Sequence, residues 1–548
     1  MSFVRLSNVL AGVSALALIV AGLLMQDRLS STQWLLLLLC AWLLLLIATR
    51  IELPEEMPRF NRSIVRTSIG IATVFVVLGA QLARLQGTNA DAISRRTGVS
   101  ASGEYLGNAR LAGDTLTIAR GEIFDRHGTL IAGTEPEGDR YRRYYPDLAT
   151  AAVAGYYSPL IYGTGGLEAS WNDELTGRAG NDPIERTLNT ILRRPQEGAD
   201  LYLTLDAGLQ NTATDLLGGR TGAVVVMEVA TGAVLALASA PVYDPNRLFT
   251  MGQADREAAQ AYWASLLEDP ATPLVSRATL GLFTPGSTFK TVTAAIGIER
   301  GEITPDEVFV DDGSIEIDGR VLVENNRPDE SRDEWTVEEG LAYSLNVVFA
   351  QIGLAIGGDA LWDGAEAMGF ETEIPFDLPV SVSQIAHDAD FLDNPNALAD
   401  TAFGQGELLV TPLLMCMATA MYANSGEMMR PYLVERVVDD GATTRSIEPR
   451  VWRRPIGAGT ANQVAEMMVG AVSFGTVTGA QVPGYTVGGK TGTAEIGDGT
   501  VHSWFIGFIG DEAPRYAAAV ILEGGSGGLS SAVSIGRDML ATTIAEAP

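Results

Sequence analysis

Lysine is nearly missing from this chain. Among 37 basic residues only Lys290 and Lys490 are lysines, and every other one is arginine. Arginine serves wherever a fixed positive charge is enough, a bias that a GC-rich coding sequence produces by itself. Arginine keeps its proton at every pH a protein meets, whereas lysine yields its proton to burial or to a neighbouring cation. A general base built on a cationic side chain therefore has to be one of two residues. Both stand in short motifs that read as chemistry, P-G-S-T-F-K at 285–290 and K-T-G-T at 490–493. Both are expected in an active site.

Cysteine and histidine are almost as sparse. Cys40 lies in the apolar run L-L-L-L-L-C-A-W-L-L-L-L and Cys416 in T-P-L-L-M-C-M-A-T-A-M. They read as small core hydrophobes, with no disulfide framework. His127, His387 and His502 are scattered without metal-ligand spacing, which argues against a zinc site. No motif points to a metal or an organic cofactor. Net positive charge is also lacking. At a formal charge of −30 a nucleic-acid partner is excluded, because phosphate contacts need clustered Lys and Arg. The acidic run V-E-N-N-R-P-D-E-S-R-D-E-W-T-V-E-E at 323–339 reads as a solvated face.

What the chain has in abundance is apolar sequence at its start. The first 85 residues are richer in apolar side chains than the 47% of the whole chain, and these gather in stretches at about 9–25, 33–48 and 67–83, each near the lower length limit for a spanning helix. The first could be a signal peptide, but it lacks a small-x-small cleavage site before Asp27 and reads better as a retained helix. The loop between the second and third stretches carries Arg50, Arg59, Arg62 and Arg66, against Arg28 alone in the preceding loop. By the positive-inside rule the 50–66 loop is cytoplasmic. The reading is a multi-pass anchor in the cytoplasmic membrane with everything after about 85 outside.

The 548 residues suggest two or three domains. We divide them into an anchor (1–86), a membrane-proximal domain (87–215) and a C-terminal domain (216–548). Residues 87–118 read as a polar linker. R-G-E-I-F-D-R-H-G-T-L-I-A at 120–132 reads as strand, turn and strand, and 201–217 as a strand followed by a helix. T-G-A-V-V-V-M-E-V-A-T-G-A-V-L-A-L-A-S at 221–239 reads as a hairpin with one well-buried face. A helix is expected from 287 to about 299, mostly helix over 335–425, and strands at 485–494, 502–510 and 516–523. Strands at both ends with helices between them give an α+β domain whose sheet is closed by the two ends of the chain.

Ser287 and Lys290 are three apart, so on a helix they share a face and can meet. A neutral lysine amine could then take the serine proton. The plain alternative is a capping serine beside a solvated lysine. Ser344 and Asn346 in Y-S-L-N could face one cleft from a turn or helix start. On an edge strand, Lys490, Thr491 and Thr493 would alternate in direction, and Gly492 would leave room for a ligand backbone. Lys490 and Thr491 therefore cannot both point straight into the cleft. Backbone N–H groups of Ser287 and Thr493 could form an oxyanion hole.

Ser-x-x-Lys, Ser-x-Asn and Lys-Thr-Gly in this order resemble the penicillin-binding proteins and serine β-lactamases, and more narrowly a class B penicillin-binding protein. R-G-E-I-F-D-R-H-G is similar to that family's pedestal motif. A-F-G-Q-G at 402–406 and W-F-I-G-F at 504–508 match further landmarks, and G-Y-Y-S-P with Y-G-T-G-G-L-E at 155–168 resembles actinobacterial elongation or division members. The resemblance implies the penicillin-binding transpeptidase fold, an antiparallel sheet flanked by helices, and a peptidoglycan D,D-transpeptidase without cofactor. Ser287 would be acylated by the penultimate D-Ala of a stem peptide, or by a β-lactam. Lys290 would be its base, Ser344 a proton relay, and Asn346 the holder of the peptide amide. Lys490, Thr491, Gly492 and Thr493 would receive the terminal carboxylate, with Gln405 and Gly406 lining the cleft.

Two features depart from the family pattern. His127 stands where the family usually has Asn, in a structural turn. Three hydrophobic stretches replace the usual single span, either as an extra hairpin or as a surface for a membrane-embedded glycan polymerase. No glycosyltransferase motif is present. The alternatives are a D,D-carboxypeptidase, a membrane β-lactam sensor, a catalytically silent division scaffold and a β-lactamase. The last lacks a loop carrying a deacylating Glu after Asn346, and the sensor lacks room for a cytoplasmic protease.

Overall fold

The computed structural model describes residues 3–24, 31–50, 57–84, 98–99, 105–106, 116–179, 197–495, 500–524 and 528–546. They fall into two compact units, one of residues 1–114 with 180–194 and one of 115–179 with 195–548. The linker expected over 87–118 lies mostly outside the described residues.

The first unit holds three apolar helices, α1 (Phe3–Leu24), α2 (Ser31–Ala48) and α3 (Arg59–Ala83). Three spanning stretches were expected. Among the described residues α1 and α3 are long and apolar enough to cross a membrane, whereas the apolar part of α2, Thr32–Ala48, is shorter. The helices are joined by polar contacts. Trp34 Nε1 donates to Gln81 Oε1 at 2.6 Å and Trp42 Nε1 to Thr73 Oγ1 at 3.1 Å, both between α2 and α3.

The second unit contains two principal sheets. Strands β1 (Ile123–Phe124), β2 (Leu130–Glu137), β3 (Arg140–Tyr144) and β4 (Asp200–Leu203) precede helix α4 (Ala207–Leu217). The motif at 120–128 forms the expected strand and turn. The reason for the turn is Asp125, 1% exposed, whose carboxylate accepts the N–H groups of His127, Thr129 and Ala207 at 2.8, 2.7 and 3.2 Å. His127 lies within this turn, its Nε2 3.0 Å from Asp206, the residue that caps α4. Beside the turn, Glu168 is enclosed by the guanidinium groups of Arg120 and Arg143 and by the Tyr145 hydroxyl at 3.1 Å.

The central sheet opens with β5 (Gly222–Glu228) and β6 (Val234–Ala240), a hairpin turning at Gly232 with φ +80°. Helix α5 (Lys290–Glu299), a small hairpin β7 (Ser314–Ile317) and β8 (Arg320–Val323), then α6 (Val337–Tyr343), α7 (Asn346–Ile356), α8 (Pro395–Ala402) and α9 (Pro412–Ala423) follow. Strands β9 (Val434–Asp439) and β10 (Ala442–Ser446) return to the first sheet, whose order is β10-β9-β4-β1-β2-β3. The chain ends in β11 (Thr486–Glu495), β12 (Val501–Gly510), β13 (Pro514–Leu522) and α10 (Gly528–Glu546).

The central sheet has the order β6-β5-β13-β12-β11, so the two ends of the domain meet at β5 and β13. The α+β architecture is as expected, with one correction. The β5–β6 hairpin was expected to bury one face, but both are covered. Val225, Met227, Ala517, Ala519 and Ile521 pack with α9 on one side. Val224, Val226, Ala518 and Val520 pack with α4 and α10 on the other. A strand covered on both sides needs apolar residues at every position rather than at alternate ones, which is why V-V-V-M runs without a polar break. Helix α9, with Cys416 in its middle, is buried from Pro412 to Tyr422.

Candidate active site

The cleft lies along β11, which forms the free edge of the central sheet. Against it packs a single 3-10 turn, Gly286–Phe289, from which α5 continues at Lys290. A continuous helix was expected from 287. Instead Gly286 takes φ +54°, a conformation that suits glycine, and the chain winds tightly before the α-helix begins. Phe289 is fully buried, and Trp504 Nε1 of β12 donates to the Thr284 carbonyl at 2.9 Å. Glycines allow the close approach on both sides. A Cβ on Gly492 would lie 2.5 Å from the Pro285 oxygen, and one on Gly404 would lie 1.7 Å from the Gly286 oxygen.

Within this frame Ser287 is half-buried, while Lys290 and Lys490 are each 0% exposed. Lys290 Nζ donates to the Ser344 carbonyl at 2.7 Å and to Asn346 Oδ1 at 2.8 Å, and lies 3.4 Å from Ser344 Oγ. Lys490 Nζ donates to Ser344 Oγ at 2.9 Å and to the Thr491 carbonyl at 3.0 Å. The Ser-x-Asn spacing works because Ser344, with φ +64°, ends α6 in the left-handed conformation and Asn346 begins α7. The break between the helices turns both residues toward Lys290.

Two cations cannot share this site at little cost. Burial pushes Lys290 well below its usual pKa, the nearby Lys490 lowers it further, and Glu324 opposes the shift. Burial also brings Lys490 down to about 7. Burial and the neighbouring Lys490 thus both favour the neutral amine of Lys290. A neutral amine has two N–H groups, which the Ser344 carbonyl and Asn346 Oδ1 accept, and its lone pair is left to receive a proton. The hydrogen-bond partners of Lys290 Nζ are Ser344 and Asn346, and Ser287 Oγ is not among them.

The remaining expected residues gather on the same cleft. Of Lys490 and Thr491, Lys490 is the one that reaches Ser344. Thr491 is 4% exposed, and Thr493 is exposed beside the Gly286–Phe289 turn. Gln405 Nε2 donates to the Thr493 carbonyl at 3.4 Å, and Gly406 follows with φ +74°. Among the described residues no cluster of His, Cys, Asp or Glu could hold a metal ion.

Residues 222–541 match the penicillin binding protein transpeptidase domain, and 120–201 match the penicillin binding protein A dimerisation domain. The chain belongs to the class B penicillin-binding proteins. A similar relative is the peptidoglycan D,D-transpeptidase PbpA of Mycolicibacterium smegmatis, 32% identical over 505 residues that cover 89% of this chain and 99% of the relative. The peptidoglycan D,D-transpeptidase MrdA of Escherichia coli is 30% identical over 455 residues, covering 72% and 70%. The penicillin G acyl-enzyme complex of penicillin-binding protein A from M. tuberculosis superposes with a TM-score of 0.69 at 31% identity, covering 78% of this chain and all of that one (100%).

In this penicillin-binding protein the fold brings Ser287, Lys290, Ser344, Asn346, Lys490, Gln405 and Thr493 to one cleft. One residue escaped the sequence reading. Glu324 belongs to the acidic run taken as a solvated face, yet it is 8% exposed and borders the second motif. Neither its own residue type nor its neighbours distinguish it from the exposed acids that follow it.

Two expected results arise here. Gly404→Ala would push the 402–406 loop off the Gly286–Phe289 turn. A displacement of that kind costs about a hundredfold in rate, so β-lactam acylation should fall by that order while secondary structure by circular dichroism stays unchanged. Second, protein grown with ε-13C-lysine should give two side-chain NMR signals, of which the Lys490 signal titrates near 7 and the Lys290 signal titrates well below the ordinary lysine range.

Proposed function

We propose that Ser287 is the acylated nucleophile of a peptidoglycan D,D-transpeptidase and that Lys290 is its general base. The observation that carries this reading is the convergence of both buried lysines on Ser344 beside the Ser287 turn. Ser287 Oγ attacks the penultimate D-Ala carbonyl of a stem peptide and passes its proton to Lys290. The oxyanion lies against the N–H groups of Ser287 and Thr493. The peptide C–N bond breaks, and the departing D-Ala amine takes the proton by way of Ser344. An amine from a neighbouring stem peptide then attacks the ester, loses its proton by the same route and frees Ser287. Asn346 holds the donor peptide amide. Lys490, Thr491 and Thr493 receive the terminal carboxylate beside Gly492, and Gln405 and Gly406 line the cleft.

The same serine takes up β-lactams, whose ring carbonyl stands in for the D-Ala carbonyl. The test is labelling by a fluorescent penicillin. Wild type should carry a stable label and Ser287→Ala none, and wild type should join synthetic donor and acceptor peptides with release of D-Ala. Release of D-Ala without a joined product would replace this reading with a carboxypeptidase.

Helices α1–α3 are read as a three-pass anchor in the cytoplasmic membrane with the catalytic domain outside, a reading supported by the hydrogen bonds between α2 and α3 and by the arginines of the 50–66 loop. The division into 1–86, 87–215 and 216–548 goes with this reading. The extra helices are the candidate contact for a membrane-embedded glycan polymerase. Deleting 1–62 should abolish co-purification with that polymerase, and unchanged co-purification would remove the idea.

A further inference from the structure

Glu324 directly follows β8 and turns back into the protein. One carboxylate oxygen accepts the N–H groups of Asn325 and Asn326 at 2.9 and 3.0 Å, and the other accepts the N–H of Val347 at 2.9 Å. Val347 is in the first turn of α7, whose N-cap residue, Leu345, offers no side-chain cap. The free N–H groups of a helix start favour an acceptor, above all an anionic one. Here it comes from a separate hairpin. The next residue but one completes the link, since Asn326 Nδ2 donates at 3.0 Å to the Ser344 carbonyl, the oxygen that also accepts from Lys290. At the far end of the hairpin, Arg320 makes a two-pronged pair with Asp400 at 2.7 and 2.6 Å, and the Asp400 carbonyl accepts the N–H of Gln405 at 2.8 Å. The hairpin is thus tied to the Ser-x-Asn motif on one side and to the segment carrying Gln405 on the other.

We propose that Glu324 is a positioning residue for acyl transfer: by capping α7, and through Asn326, it fixes the Asn346 side chain and the Ser344 carbonyl that together hold the Lys290 amine. This rests on Lys290 being the base. The two acceptors of Lys290 lie on either side of the break between α6 and α7, where the left-handed Ser344 needs support from outside the local chain. Geometry of this kind decides whether the lone pair of Lys290 faces Ser287.

The charge of Glu324 adds a second effect. The charged groups that face Lys290 are Lys490 from β11 and Glu324 from the hairpin. Helices α6 and α7 contribute the neutral Ser344 and Asn346, with the Phe349 ring 5.6 Å away. A carboxylate favours the ammonium, so its removal should move the Lys290 titration to lower pH.

The experiment compares wild type with Glu324→Gln, Glu324→Asp and Asn326→Ala as full-length protein in detergent, labelled with ε-13C-lysine. Acylation by a fluorescent penicillin is followed in time and normalised to folded protein. Losing a hydrogen bond to a charged group gives Glu324→Gln an acylation rate lower by about tenfold or more, with the Lys290 signal titrating at lower pH. Glu324→Asp should restore the titration but only part of the rate. Asn326→Ala should slow acylation several-fold, and it carries the test if Glu324→Gln does not fold. Wild-type acylation in either Glu324→Gln or Asn326→Ala would overturn the proposal, as would lower thermal stability in Glu324→Gln with an unchanged rate per folded molecule and an unmoved Lys290 signal. A wild type that is never acylated at Ser287 would sink the functional reading itself, a separate result.

Discussion

Lys290→Arg is expected to slow acylation of Ser287 by roughly three orders of magnitude, within the range that a positioned general base supplies. The substitution keeps the charge that a surface lysine would offer and removes only the ability to lose a proton. If Lys290 were a structural cation, arginine would be a mild change. If it is the base, arginine cannot replace it; Lys290 is fully buried, with Nζ donating to the Ser344 carbonyl and to Asn346 Oδ1. A guanidinium would also remain charged beside Lys490, where burial already disfavours a second cation. The check is the time course of fluorescent-penicillin labelling, with thermal unfolding to show that the variant is folded. Labelling within tenfold of wild type would remove Lys290 from the proton path.

The largest loss of stability should come from Glu168→Ala, far from the chemistry. Its carboxylate pairs with both Arg120 and Arg143, and all three side chains are buried. Removing one partner from a buried ionic group leaves uncompensated charge and costs about 3–5 kcal/mol. The measurement is chemical denaturation followed by circular dichroism, and a shift equivalent to less than about 1 kcal/mol would contradict it. The pair also has a pH signature. Burial pushes the Glu168 carboxyl up, but the two arginines outweigh it and hold its pKa below the usual 4.5. Its stabilisation is therefore complete above the ordinary carboxylate range and is lost as pH falls through the lowered native value. Glu168→Ala should lack that part of the acid transition.

Much of the candidate site was legible because the chemistry proposed for it demands particular residue types. A base that must shed a proton, in a chain with two lysines, points to Lys290 and Lys490 without any knowledge of the fold. The strand carrying Lys490 was legible too, because β11 has the glycines of an edge that another backbone approaches. What stayed hidden depends on contacts distant in sequence. Nothing in V-E-R-V-V-D at 434–439 tells that it pairs with 200–203. The single 3-10 turn at Ser287 follows from how Gly286 meets Gly404 and Thr493, not from local propensity. Glu324 was misread for the same reason: an acidic residue in an acidic run becomes a buried cap only when α7 is laid against it.

The burial of both lysines has a consequence for the protein as a chemical object. Its folded surface presents no side-chain primary amine. An enzyme that hands acyl groups to amines carries no lysine amine on the outside, so the lysines of neighbouring copies are no rival acceptors, and it cannot be sewn into the polymer it builds through a lysine. For the same reason, amine-directed cross-linkers and coupling chemistries will find little on the native protein beyond its terminal amine.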